Sequence, residues 1–76
     1  MADEVELEVD LPRADIAPDV ARRALRQAYA KHLDPDLLAD AELLASELTS
    51  NALCHGHGGM TLRARLNDDR LKVEVV

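Results

Sequence analysis

Hydrophobic and polar positions follow two periods along this chain. Over residues 4–10, Val5, Leu7 and Val9 alternate with Glu4, Glu6, Glu8 and Asp10. A period of two with one wholly acidic side predicts a strand buried on a single face. Leu11-Pro12 closes that strand, because proline has no amide with which to continue a ladder. The period then lengthens. Ala17, Val20, Ala21, Ala24, Leu25 and Ala28 recur three and four residues apart, which predicts the apolar stripe of a helix with Pro18 and Asp19 in its first turn. Arg22, Arg23, Arg26 and Lys31 fall largely off the stripe and read as a solvated face.

Asp34-Pro35 opens a second helix as its N-cap and first helical residue. Its predicted core stripe is Leu37, Ala41, Leu44, Ala45, Leu48 and Ala52, running to His55, and Gly56 is expected to stop it with a positive φ. Gly58 and Gly59 predict a loose turn. Residues 61–66 return to a period of two, with Leu62, Ala64 and Leu66 inward and Arg63 and Arg65 outward. Asn67-Asp68-Asp69 signals a turn, and Leu71, Val73 and Val75 resume the alternation, so the two strands form a hairpin. The order strand-helix-helix-strand-strand predicts an α+β, two-layer sandwich. Both helices lie on one face of an antiparallel or mixed sheet, and the acidic side of the first strand lies on the other.

Composition narrows the function classes. At 76 residues there is room for one domain, and a chain of that size buries only about 60% of its unfolded surface. With 47% hydrophobic and 32% charged residues the chain is expected to fold rather than remain disordered. A formal net charge of -6, with one Tyr and no Phe or Trp, argues against nucleic acid as a partner. One cysteine cannot close an internal disulfide, which favours a reducing, cytoplasmic setting. No apolar run reaches the roughly 18 residues of a membrane span, and the acidic start is unlike a signal peptide.

The stretch that could carry chemistry is ELTSNALCHG, in which Glu47, Asn51 and His55 stand four residues apart. Each step of four turns a helix by about 40°, so the three form one slowly curving line of roughly 12 Å beside the apolar stripe. The carboxylate could hold or deprotonate a nucleophile. The amide oxygen is a hard ligand suited to Mg²⁺ arriving with substrate phosphates. The imidazole and the glycines after it could approach an anion. Spacing alone would also suit the plain solvated flank of an amphipathic helix.

ELTSNALCHG resembles the N-box of the histidine-kinase-like ATPases, the Bergerat or GHKL fold, and more narrowly that of the anti-sigma-factor serine kinases and their small bacterial relatives. The surrounding order is similar too: a strand ending in Leu-Pro, a helix with an Arg-Arg pair, a helix opened by Asp-Pro, and a hairpin ending LKVEVV. The resemblance implies a regulatory ATP-binding protein that phosphorylates or sequesters a partner protein, such as a sigma factor or its antagonist. It implies that Asn51 serves Mg²⁺ and the triphosphate, that Glu47 is the catalytic carboxylate facing the attacking hydroxyl, and that His55 is a phosphate-side residue or a structural helix-end residue. In the family, the strand matching residues 71–76 leads into an Asp-x-Gly-x-Gly turn that binds adenine. The expectation is therefore that residues 1–76 form a single partial domain, the N-terminal half of such an ATPase, binding ATP·Mg²⁺ weakly or not at all by itself. The alternative is a non-catalytic interaction or dimerisation module that kept the scaffold and lost the nucleotide. The Leu71–Val75 edge strand points to a homo-oligomer on either reading. Cys54 is expected to be a small, at least half-buried hydrophobe, and His55-Gly56-His57 a glycine turn with exposed imidazoles rather than a metal site.

Overall fold

The alternating segments become strands and the longer periods become helices. A computed structural model describes residues 4–68 and 70–76. Its elements are β1 (Glu4–Leu11), α1 (Ala17–Tyr29), α2 (Pro35–His55), β2 (Met60–Asn67) and β3 (Arg70–Val75). The sheet has the order β1-β2-β3 and is antiparallel throughout. Both helices pack on one face, α1 against β1 and α2 mainly against β3, with α1 and α2 also packed on each other. The molecule is thus a two-layer α+β domain. Residues 1–3 of the acidic start, and Asp69 of the hairpin turn, lie outside the described residues. Asp68 takes a φ of 59°, the left-handed conformation that a tight turn demands and that Asp tolerates better than most residues.

The inward faces of the strands supply the core. Leu62, Ala64 and Leu66 of β2 are buried between two neighbouring strands, whereas Val5, Leu7, Val9, Leu71, Val73 and Val75 on the outer strands are half-buried. From α1 come Ala17, Ala21, Leu25 and Tyr29, each fully buried. The alanines let α1 sit close to its neighbours. Tyr29 extends the buried line by one turn beyond Leu25, and its phenol donates to the Val5 carbonyl at 2.9 Å, which satisfies its one polar atom inside the core.

In α2 the Asp34 carboxylate accepts the Leu37 amide at 2.9 Å, the N-cap that Asp34-Pro35 predicts. Its buried positions are Ala41, Ala45 and Thr49. The sequence stripe is therefore rotated from the expected one: Leu37 and Leu44 are 48% and 44% exposed, and Leu48 and Ala52 half-buried. The positions turned fully inward are small, Leu38 and Leu53 pack partly against the core, and Leu37 and Leu44 fall to the outer side. Thr49 is tolerated because its hydroxyl donates back to the Ala45 carbonyl at 2.7 Å.

Two arginines expected on a solvated face instead join the helices. Arg22 hydrogen-bonds Ser46 Oγ at 2.8 Å and pairs with Asp19. Arg26 pairs with Glu42 at 2.7 Å, and that hydrogen bond, followed by the carboxylate charge, raises its guanidinium above its ordinary value. On the open face of the sheet Glu4, Glu6, Glu8 and Asp10 are exposed as expected, and the register places Arg63 and Arg65 among them. Arg63 reaches Glu8 at 3.3 Å, and Arg65 reaches Glu4 at 3.1 Å and Glu6 at 2.9 Å.

Candidate functional site

The position of any residue on α2 follows from its angle to the buried line through Ala45. Taking about 100° per residue, Glu42 and Ser46 lie about 60° to 100° round the helix on one side, and His55, Asn51 and Glu47 about 80° to 160° round on the other. The first side faces α1, since Glu42 and Ser46 bond Arg26 and Arg22. The second shares its side with Leu37 and Leu44. Glu47, Asn51 and His55 are all exposed, so the structure brings the three sequence-derived residues to one solvent-facing flank. Among the described residues, none of the three takes part in an ion pair or a side-chain hydrogen bond.

Along the same flank, nearer the start of α2, runs an apolar groove of about 210 Å³ lined by Leu33, Leu37, Ala41, Leu44, Leu71 and Val73, with Asp40 at its rim. Its floor is β3. The paired bonds between Thr61 and Val76, at 2.9 and 3.0 Å, set the alternation of the β2–β3 ladder. By that alternation the amides and carbonyls of Leu71, Val73 and Val75 point away from β2, toward the free edge. A wider depression of about 440 Å³ lies on the open sheet face, but the Glu6, Glu8, Arg63 and Arg65 side chains that line it largely neutralise one another.

The end of α2 is built differently from the expectation. Gly56 is extended, with φ -110° and ψ 172°, and the positive φ belongs to Gly58 at 74°. Glycine is needed at position 56 for a different reason, close approach. A Cβ there would stand 2.9 Å from the Ala52 carbonyl oxygen and 3.0 Å from Arg13 Nη2. Arg13 is the residue that sequence spacing misses. It follows the Pro12 that ends β1, and the pairing of Leu11 with Met60 carries it to the 56–59 loop. Its guanidinium donates to Gly58 O at 2.7 Å, Leu53 O at 3.1 Å and Ala52 O at 3.2 Å. The one legible signal for it is a cation just beyond a strand end. Cys54, expected at least half-buried, is exposed on the solvent side of α2, and the His55 and His57 imidazoles are exposed as well.

Chemically, the flank offers a carboxylate, a neutral amide and an imidazole in a row beside a glycine loop. Among the described residues no group of three or more His, Cys, Asp or Glu is arranged to hold a metal ion. A single amide oxygen fits a Mg²⁺ that arrives with phosphates better than one bound by the protein alone. No helix of the described residues is long and apolar enough to cross a membrane. Comparison with protein-family models, curated proteins and solved structures finds no match for this chain.

Proposed function

We propose that this chain is a nucleotide-binding element of the histidine-kinase-like ATPase kind, similar to the N-terminal half of the Bergerat fold in anti-sigma-factor serine kinases. The observation that carries the reading is the flank of α2. Glu47, Asn51 and His55 stand exposed on the side away from α1, with no side-chain partner among the described residues, within a β-α-α-β-β frame. In this reading the Asn51 amide oxygen meets the Mg²⁺ that accompanies the triphosphate, and His55 lies toward the phosphates. Glu47 is placed to orient, or take a proton from, a serine hydroxyl of a partner protein in the cytoplasm. ATP·Mg²⁺ supplies the transferable phosphoryl group, and positioning and charge neutralisation are the protein's share of the chemistry.

A second reading has its own observation. The groove lined by Leu37, Leu44, Leu71 and Val73, beside the free edge of β3, is suited to protein contact, either with a regulatory partner or with another copy of this chain. In that case the scaffold serves as an interaction or dimerisation module without nucleotide. Titrating ATP·Mg²⁺ to millimolar concentration while following backbone amide resonances separates the two. The nucleotide reading expects weak, saturable shifts centred on Asn51 and His55 that Asn51→Ala removes. It is overturned if the shifts are absent or lie on another face.

A further inference from the structure

The flank proposed for phosphate has an electrostatic difficulty. Asn51 and His55 sit in the last two turns of α2, whose unpaired carbonyls carry the negative end of the helix dipole, equivalent to about half an elementary charge. An anion approaching there is repelled by the backbone itself, and Glu47 adds to the repulsion. The cation that stands at this end is Arg13, with two of its three hydrogen bonds on the last-turn carbonyls of Ala52 and Leu53 and the third on Gly58 in the following loop. Among the described residues no carboxylate pairs with Arg13, so its charge is spent on the helix end. A planar fork suits this geometry, since three N–H groups in fixed directions can reach carbonyls of two segments at once. Gly56 is the counterpart, because a Cβ there would crowd the Ala52 carbonyl oxygen at 2.9 Å and press on Arg13 Nη2 at 3.0 Å.

We infer that Arg13 is the positioning residue of this end of the molecule: it clamps the 56–59 loop to the end of α2 and offsets the negative helix end beside Asn51 and His55. The clamp stands on the hydrogen bonds alone; the electrostatic role rests on the nucleotide reading above. Arg13 is exposed, so its replacement leaves the core intact.

Order parameters of the Gly58 and Gly59 amides test the clamp in the whole 76-residue chain. Values near the rigid-backbone level of about 0.85 in the natural sequence should fall below about 0.6 in Arg13→Ala. Lysine at this position should not restore them, because an ammonium cannot span three carbonyls, whereas millimolar guanidinium ion added to the alanine variant should, and sodium should not. Mobile glycines in the natural sequence, or unchanged values in the variant, overturn the clamp. The ATP·Mg²⁺ titration tests the charge. Arg13→Gln should weaken binding about fivefold, and Arg13→Lys much less, the scale of a helix-end charge. Equal affinity in the glutamine variant overturns the electrostatic role. Absence of nucleotide shifts in the natural sequence overturns the nucleotide reading, and the electrostatic role with it, while the glycine measurements still decide the clamp.

Discussion

The two flanks of α2 are built from similar residues and used in opposite ways. Toward α1, Glu42 and Ser46 are taken up by Arg26 and Arg22, and the positions between them and the sheet are small: Ala41, Ala45 and Thr49. On the far side, Glu47, Asn51 and His55 bond nothing among the described residues, and two leucines stand in solvent. A polar group that costs desolvation when buried is matched by a partner on the inner flank. Left exposed on the outer flank, it needs none and stays available to a ligand. The lesson is that polar residues at helical spacing divide into structural and available ones by what the neighbouring helix brings, not by their own identity.

Mutations should separate the flanks by size of effect. Leu25→Ala removes a fully buried side chain opposite the inner flank. It should cost about 2 to 5 kcal/mol in chemical denaturation, against under about 1 kcal/mol for Leu44→Ala on the outer flank. A similar loss from both would erase the contrast.

Tyr29→Phe should cost about 1 kcal/mol through the hydrogen bond to Val5. It should also change the alkaline limb of stability. Burial, and then the Glu6 charge, raise the Tyr29 phenol above its ordinary value. The folded chain therefore holds this proton more tightly than the unfolded one. The phenol's contribution is complete below about pH 10, its unfolded value, and is lost as pH rises through the higher folded value. Tyr29 is the single tyrosine of the chain and there is no Trp, so phenolate absorbance reports it alone. A midpoint at or below the ordinary value would contradict its placement, and the phenylalanine variant should lack this component of the alkaline loss.

The smallest stability effects belong to the outer flank. Glu47→Gln and Asn51→Ala should leave thermal and chemical unfolding within about 0.5 kcal/mol of the natural sequence, because both side chains are exposed and neither bonds another described residue. A loss comparable to that of Tyr29→Phe would show that these residues hold the fold together, and would weaken the case for a ligand there.

Much of the architecture was legible in the order of residues. Alternation over Val5, Leu7 and Val9, and over Leu62, Ala64 and Leu66, needs no tertiary information, since a strand with one covered face imposes period two on its own sequence. The helix start at Asp34-Pro35 was equally readable, because capping is satisfied within a few residues of chain. So was the alignment of Glu47, Asn51 and His55, which is a property of any helix. The covered side of α1 was readable as well, since its whole expected stripe is buried or half-buried, but the rotation of α2 was not. In α2 the expected stripe holds in part: Ala41 and Ala45 are buried, Leu37 and Leu44 are exposed, and Thr49, outside that stripe, is buried.

The sequence by itself determined the elements, their order and the line of polar residues on α2, because each depends on interactions within a turn or two of chain. Tertiary structure decided the partners. Arg22 and Arg26 became ties between helices, Tyr29 found the Val5 carbonyl across 24 positions, and Arg13 reached Leu53 and Gly58 from 40 and 45 positions away. At Gly56 it added a second close neighbour, Arg13, to the local Ala52 carbonyl that already crowds a Cβ there. Such contacts follow from where the β1–β2 register and the helix packing bring distant segments together. No local pattern of spacing or hydropathy encodes that meeting, because the two sides share no stretch of chain.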